Sequence, residues 1–92
     1  MEFAYEWDEE KDNLNRKKHG LSLADGISIF RDLLALEIMD DANGEERFVR
    51  IGLNIEKGLL VVVYCERKAD IIRLISVRRA TKNEEKAYEE RI

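Results

Sequence analysis

The 92-residue chain has no proline, one cysteine, one histidine, one tryptophan and five glycines. With no proline and 45% apolar residues, it lacks the composition of a low-complexity or linker-like polypeptide. Cys65 alone permits neither an internal disulfide nor a cysteine-based zinc site, which fits a reducing, cytoplasmic setting. No apolar run approaches the roughly 18–20 residues that span a bilayer, so no membrane partner is expected. The first eight residues are acidic and carry no apolar h-region, so no secretory signal is expected either. Nucleotide-binding glycine loops, HExxH, CxxC and GxSxG patterns are missing, and no acid cluster has metal-ligand spacing. Nucleotide-dependent and zinc-dependent chemistry are therefore not expected.

What is present is enough for one domain, residues 1–92. Net charge is −4, from 16 basic and 20 acidic side chains, which taken alone argues against a nucleic-acid binder. The distribution is uneven. Residues 1–15 carry −5, with Lys11 against six acids, and Arg16-Lys17-Lys18-His19 carries +3. Residues 65–82 carry +4, from Arg67, Lys68, Arg73, Arg78, Arg79 and Lys82 against Glu66 and Asp70. If folding joins the two basic blocks, they form one positive patch on an acidic chain, and the local field governs anionic ligands.

Phe3, Tyr5 and Trp7 alternate as a strand. Asp8 caps a helix that runs to about Lys18, with cations in its last turn and Gly20 beyond. Ser22-Leu23-Ala24-Asp25 has capping-box spacing and opens a second helix, with Leu23, Ala24, Ile27 and Phe30 as its apolar stripe and Asp32 at its end. Four strands follow: an apolar run over 34–39, an alternating segment over 47–55, the β-branched stretch 59–64, and 71–77. Asn43-Gly44 marks a turn between the first two. Thr81-Lys82-Asn83-Glu84 opens a C-terminal helix with Ala87 and Tyr88 inward. Short turns imply antiparallel neighbours. The class is α+β: an antiparallel sheet of four to five strands with two N-terminal helices and one C-terminal helix.

Several side chains could carry chemistry. His19 is the default acid or base near neutral pH, though a histidine before a C-cap glycine also simply complements the helix dipole. Glu66 and Arg67 end the most apolar strand, where charge marks either the exit from the core or a site on a rigid sheet. Strand parity puts Arg73 on the face of Ile71, Ile75 and Val77, and Arg78 on the opposite face with Ser76. Arg78, the Thr81 helix start and Lys82 form either a phosphate cradle or a solvated basic corner, with Arg79 beside them. Trp7 and Tyr64 either stack on bases or fill the core.

Taken in order, these residues resemble the BrnT family of type II toxins, within the RelE/ParE-like superfamily. The resemblance rests on Trp7-Asp8, Lys11, Asn15 and Lys18-His19-Gly20; on Glu46-Arg47 and Ile51-Gly52; on Val61-Val62-Val63-Tyr64 with Glu66-Arg67; and on Arg73 to Thr81 with Glu84 and Tyr88. It implies a RelE-like fold and a metal-independent ribonuclease that arrests translation. It also implies a cognate BrnA-like antitoxin with a ribbon-helix-helix domain, with promoter DNA bound only through the toxin–antitoxin complex. For that chemistry a ribose 2′-OH attacks the adjacent phosphate. His19 or Glu66 would be the base, Arg67 and Arg78 would stabilise the phosphorane, and Lys18, Arg73, Arg79 and Lys82 would hold RNA. The competing readings are a non-catalytic interaction module and a toxin aimed at a protein such as a gyrase.

Overall fold

The structure, a computed structural model, describes residues 3–41 and 46–91. The expected Asn43-Gly44 turn lies outside them. Five strands, β1 (Ala4–Glu6), β2 (Leu36–Asp40), β3 (Arg47–Asn54), β4 (Gly58–Lys68) and β5 (Ile71–Arg79), form one sheet in the order β1-β5-β4-β3-β2. The β2–β3, β3–β4 and β4–β5 pairs are antiparallel. The β1–β5 pair is parallel, which the turn lengths do not indicate. β1 has no short turn to a neighbour; helix α1 (Glu9–His19) carries the chain away and β5 returns beside it much later.

One face of the sheet packs on α1 and on a second helix, Leu23–Arg31. Leu60, Val62, Tyr64, Ile72, Leu74 and Val77 meet Leu21, Leu23 and Ile29 there in the main core. The second face buries a smaller cluster, Ile51, Val61 and Tyr88, under helix α2 (Lys82–Glu89). Tyr88 is inward as its spacing implies, but Ala87 is exposed.

The second helix is a 3-10 helix, not the α-helix its capping box suggests. Three residues per turn eclipse positions three apart. The fully buried residues are Leu23, Gly26 and Ile29, at that spacing, while Ala24 is exposed. Gly26 permits the contact: a Cβ there would lie 2.7 Å from Val62 and 2.8 Å from Val77 side-chain carbons.

Helix α1 buries no large apolar side chain. Its buried residues are Asp12 and Asn15. Beyond β1's three residues the outer edge of β5 is bare, and Asn15 covers it. The Asn15 amide donates to Val77 O and to Leu21 O, both at 2.8 Å, and its oxygen accepts from Val77 N at 3.0 Å. Asp12 accepts from Leu23 N at 2.8 Å and from Arg16 Nε at 2.9 Å. The Leu23 amide, with help from Arg16, holds the Asp12 carboxyl below the usual range despite burial.

Asn15→Ala leaves three buried backbone groups without partners and is expected to cost about 2–4 kcal/mol, measured by urea denaturation. Asn15→Asp, which turns an acceptor toward two carbonyls, is expected to fare no better. Stability close to that of the parent in both variants would contradict this account of α1 docking.

Candidate functional site

The chemistry of β5 depends on an irregularity. Val63 pairs with Ser76 but Tyr64 pairs with Leu74, so Ile75 is an extra residue, a bulge. Strict alternation expects Arg73 and Arg78 on opposite faces. The bulge puts Arg73, Ser76 and Arg78 on one face, opposite Val62, Tyr64, Ile72, Leu74 and Val77 of the main core. A second irregularity, between Glu66 and Lys68, makes Arg67 the extra residue on β4.

Where α1 runs along the β5 edge, an open groove of about 190 Å³ is lined by Lys11, Leu14, Lys18, His19, Ile75 and Ser76. The α1 residues follow from helical spacing, and the Asn15 staple fixes the helix against the strand. Gly20 ends α1 in the left-handed region at φ 71°, with its N–H on Arg16 O, and so leaves His19 half-buried at the groove end. The groove brings the first basic block, at Lys18 and His19, against Ile75 and Ser76 of β5, and among the described residues no cation of the second block lines it.

The remaining candidates divide. Arg73 donates to Glu6 at 2.7 Å, and Arg67 lies 3.8 Å from the same carboxylate. Arg78 is bound on both sides by Glu84, at 2.8 and 2.9 Å. Glu84 also accepts from Thr81 N at 2.8 Å, and Thr81 Oγ1 accepts from Glu84 N at 3.2 Å. The anion cradle expected of Arg78, the Thr81 cap and Lys82 is thus filled by the protein's own carboxylate. The paired Arg78 guanidinium lowers Glu84 from an ordinary 4.5 to about 2, and Glu84 in turn raises Arg78. Arg79 and Lys82 are exposed beside this pair.

Glu66 stands apart. Its partner on β5 is Ile72, a main-core residue, so it lies on the helix-covered face, away from Arg73 and Arg78. There it lines a cavity of about 250 Å³ with Phe3, Phe30, Glu37, Arg50 and Tyr64. Tyr64 is 5% exposed and belongs to the core, with its ring 4.8 Å from Phe30 and 5.3 Å from Phe48. Trp7 packs half-buried against the same core. The Tyr64 hydroxyl donates to Glu37, which also binds Arg50. Burial, then Glu37, push the Tyr64 hydroxyl well above its usual range. The Arg50 guanidinium lies 5.4 Å over the Phe30 ring.

Sequence reasoning missed Glu37, Arg50 and Glu84 as members of these clusters. Glu84 had a signal, because a capping-box glutamate six residues after a strand arginine can reach back to it. Glu37 and Arg50 had none, since their meeting depends on β2–β3 register. A larger cavity, about 450 Å³, lies at the β3–β4 turn beside Asp32, and none of the candidate residues lines it. Among the described residues no group of His, Cys, Asp and Glu could hold a metal ion, and no helix is long and apolar enough to cross a membrane.

Fold and site together define a small α+β protein whose candidate side chains ride on sheet faces and a helix–strand groove. Over residues 7–84 the chain matches the model of the BrnT ribonuclease toxins of type II toxin–antitoxin systems, and it belongs to that family. A search of curated proteins gives no match. Among solved structures it is similar to the Brucella abortus ribonuclease toxin BrnT, at 29% identity and a TM-score of 0.69, over 89% of this chain and 99% of that one.

The Arg78–Glu84 pair ties α2 to the sheet. Because the Glu84 carboxyl is depressed in the folded state, its stabilisation is complete above about pH 5 and is lost as pH falls from 4.5 toward 2. Glu84→Gln is expected to cost about 1–3 kcal/mol at pH 7 and to flatten the acid limb of a stability–pH profile, measured by urea denaturation between pH 7 and about pH 2.5. An unchanged acid limb would contradict the pairing.

Proposed function

We propose that this ribonuclease toxin cleaves RNA without a metal, by attack of a ribose 2′-OH on the adjacent phosphorus, and so arrests translation. The observation that carries the reading is the groove in which the only histidine, His19, meets Lys11 and Lys18 beside Ser76. His19 takes the 2′-OH proton. Arg73 and Arg78 flank Ser76 on the same strand face, each held by a carboxylate, Glu6 or Glu84, and turn their remaining guanidinium N–H groups to the charge that develops on phosphorus. Arg67, which shares Glu6 with Arg73, extends the cationic row. Lys18, Lys82 and Arg79 hold neighbouring phosphates. The products are a 2′,3′-cyclic phosphate and a 5′-hydroxyl, whose proton comes from water in the open groove. Glu66, the alternative base, lies on the other face from Arg78, which favours His19.

As a type II toxin the chain is paired with an antitoxin, and we infer a BrnA-like ribbon-helix-helix protein that neutralises it and joins it in repressing their promoter. Leu33 and Ile55 are 97% and 94% exposed, and such apolar side chains suit a protein partner better than RNA.

Inducing the chain alone is expected to arrest growth and create new RNA ends. His19→Ala is expected to lower cleavage about 10²–10⁴-fold with little change in stability. Arg67→Ala, whose side chain is largely exposed, is expected to weaken RNA binding without unfolding the protein. Arg78→Ala is less informative, because it also releases α2. Arrest without new ends would move the target to a protein, and undiminished cleavage by His19→Ala would remove His19 as the base.

A further inference from the structure

The cavity on the helix-covered face takes no part in the chemistry above, and its lining has an unused group. Tyr64 spends its proton on Glu37, and Arg50 is divided among Glu37, Ile29 O and Asp32 O. The Glu66 carboxylate lines the open mouth of the same space, on an exposed residue, and carries no hydrogen bond or ion pair among the described residues. Phe3 closes one side and is 38% exposed, and Phe30 and Ile72 supply further apolar wall. We propose that this cavity is a nucleobase pocket in which Glu66 reads guanine in single-stranded RNA, with the base lying against Phe3. The proposal rests on the ribonuclease reading and adds its specificity.

The chemistry of the lining selects the ligand class. Two carboxylates face the space while its one arginine is committed to Glu37, so a phosphate is repelled. An uncharged flat group with donors is accepted. Single-stranded RNA bases are bound in this way, by stacking on aromatic rings and by hydrogen bonds to their edges. A free carboxylate offers two acceptor oxygens side by side. Guanine matches them with N1–H and the N2 amino group on one edge. Adenine and cytosine put an acceptor nitrogen next to their amino group, which a carboxylate opposes, and uracil has one N–H between two carbonyls.

The position of Glu66 also fits a chain in transit. Arg67 is the bulged residue next to it, its side chain 58% exposed, and exposed Lys68 follows. A base seated at Glu66 leaves its own phosphate near this cationic rim of the sheet. From the rim, Arg67 and Arg73, which share Glu6, lead to the face that carries the groove.

The test is titration of the full chain with guanosine, inosine and adenosine, followed by NMR, for the parent and for Glu66→Gln and Phe3→Ala. Guanosine is expected to shift Phe3, Tyr64 and Glu66 resonances saturably. Inosine, which lacks the N2 amino group, is expected to bind about tenfold or more weakly, and Glu66→Gln to lose a similar factor for guanosine. Mapped RNA ends are expected to favour guanine in the parent and to lose that bias in Glu66→Gln. Equal binding of guanosine and adenosine, or guanosine binding unaffected by Glu66→Gln, would overturn the proposal. Binding of N-acetyl-arginine amide instead of guanosine would overturn it too, and would give the cavity to a cationic side chain. If guanosine binds through Glu66 but the chain cleaves no RNA, the pocket stands and the nuclease reading falls. Cleavage without base preference, together with no guanosine binding, removes the pocket and leaves the nuclease reading in place.

Discussion

The carboxamide of Asn15 holds the functional architecture together. A primary amide presents one acceptor and a pair of donors, so it can stand in for a neighbouring strand at a single point. Strand β1 covers β5 only at Ile71–Arg73, and Asn15 takes over at Val77. Its second donor reaches Leu21 O, just beyond α1, and Asp12 one turn earlier receives Leu23 N. Two polar side chains therefore fix α1, the turn after it and the start of the 3-10 helix to the sheet edge. A helix with no buried large apolar residue has no hydrophobic reason to dock there. Buried, fully satisfied amides supply a fixed distance and direction instead, and the groove between α1 and β5 inherits both.

The two irregularities in the β4–β5 ladder complete the arrangement. Were Ile75 paired in regular alternation instead of bulged out, Arg73 would point away from Ser76 and Arg78, and the sheet would offer single cations on both faces. With it, one face gathers three polar β5 residues and the other keeps Ile72, Leu74 and Val77 for the core. The extra Arg67 does similar work at the strand end. It lets Glu66 stay on the covered face while the chain presents a guanidinium at the rim.

These features explain which parts of the protein were legible in its sequence. Apolar periodicity exposed all five strands, and the capping boxes at Ser22 and Thr81 marked two helix starts that the structure contains. The ordered motif set around Lys18-His19-Gly20 and Glu66-Arg67 carried the family. Local pattern could not carry the parallel β1–β5 pair, because the two strands are more than sixty residues apart. The 3-10 geometry was also hidden: a glycine at Gly26 lowers helix propensity and shows nothing of the valines it must approach. The burial of Asp12 and Asn15 gave no signal, since burial that is satisfied by hydrogen bonds leaves no hydrophobic trace. Bulges have no signature of their own, so the face assignment of Arg73 relative to Arg78 failed at that point.

The acidic total charge becomes intelligible from the same geometry. Arg16, Arg50, Arg73 and Arg78 each sit against a carboxylate, from Asp12, Glu37, Glu6 and Glu84 in turn. The Arg16 pair lies within α1, whereas the other three tie β2 to β3, β1 to β5 and β5 to α2, the last through the two-point geometry that suits a guanidinium fork. The acids that make the chain negative overall are in part the partners of those ties. Lys11 and Lys18 in the groove, and Lys68 and Lys82 near the sheet ends, have no ion pair among the described residues, and a lysine ammonium on a flexible stem serves a moving polyanion well. Net charge is therefore a poor guide to this protein's ligand. An anion approaching the groove or the rim meets unneutralised lysines, while much of the arginine charge has already been spent inside the fold.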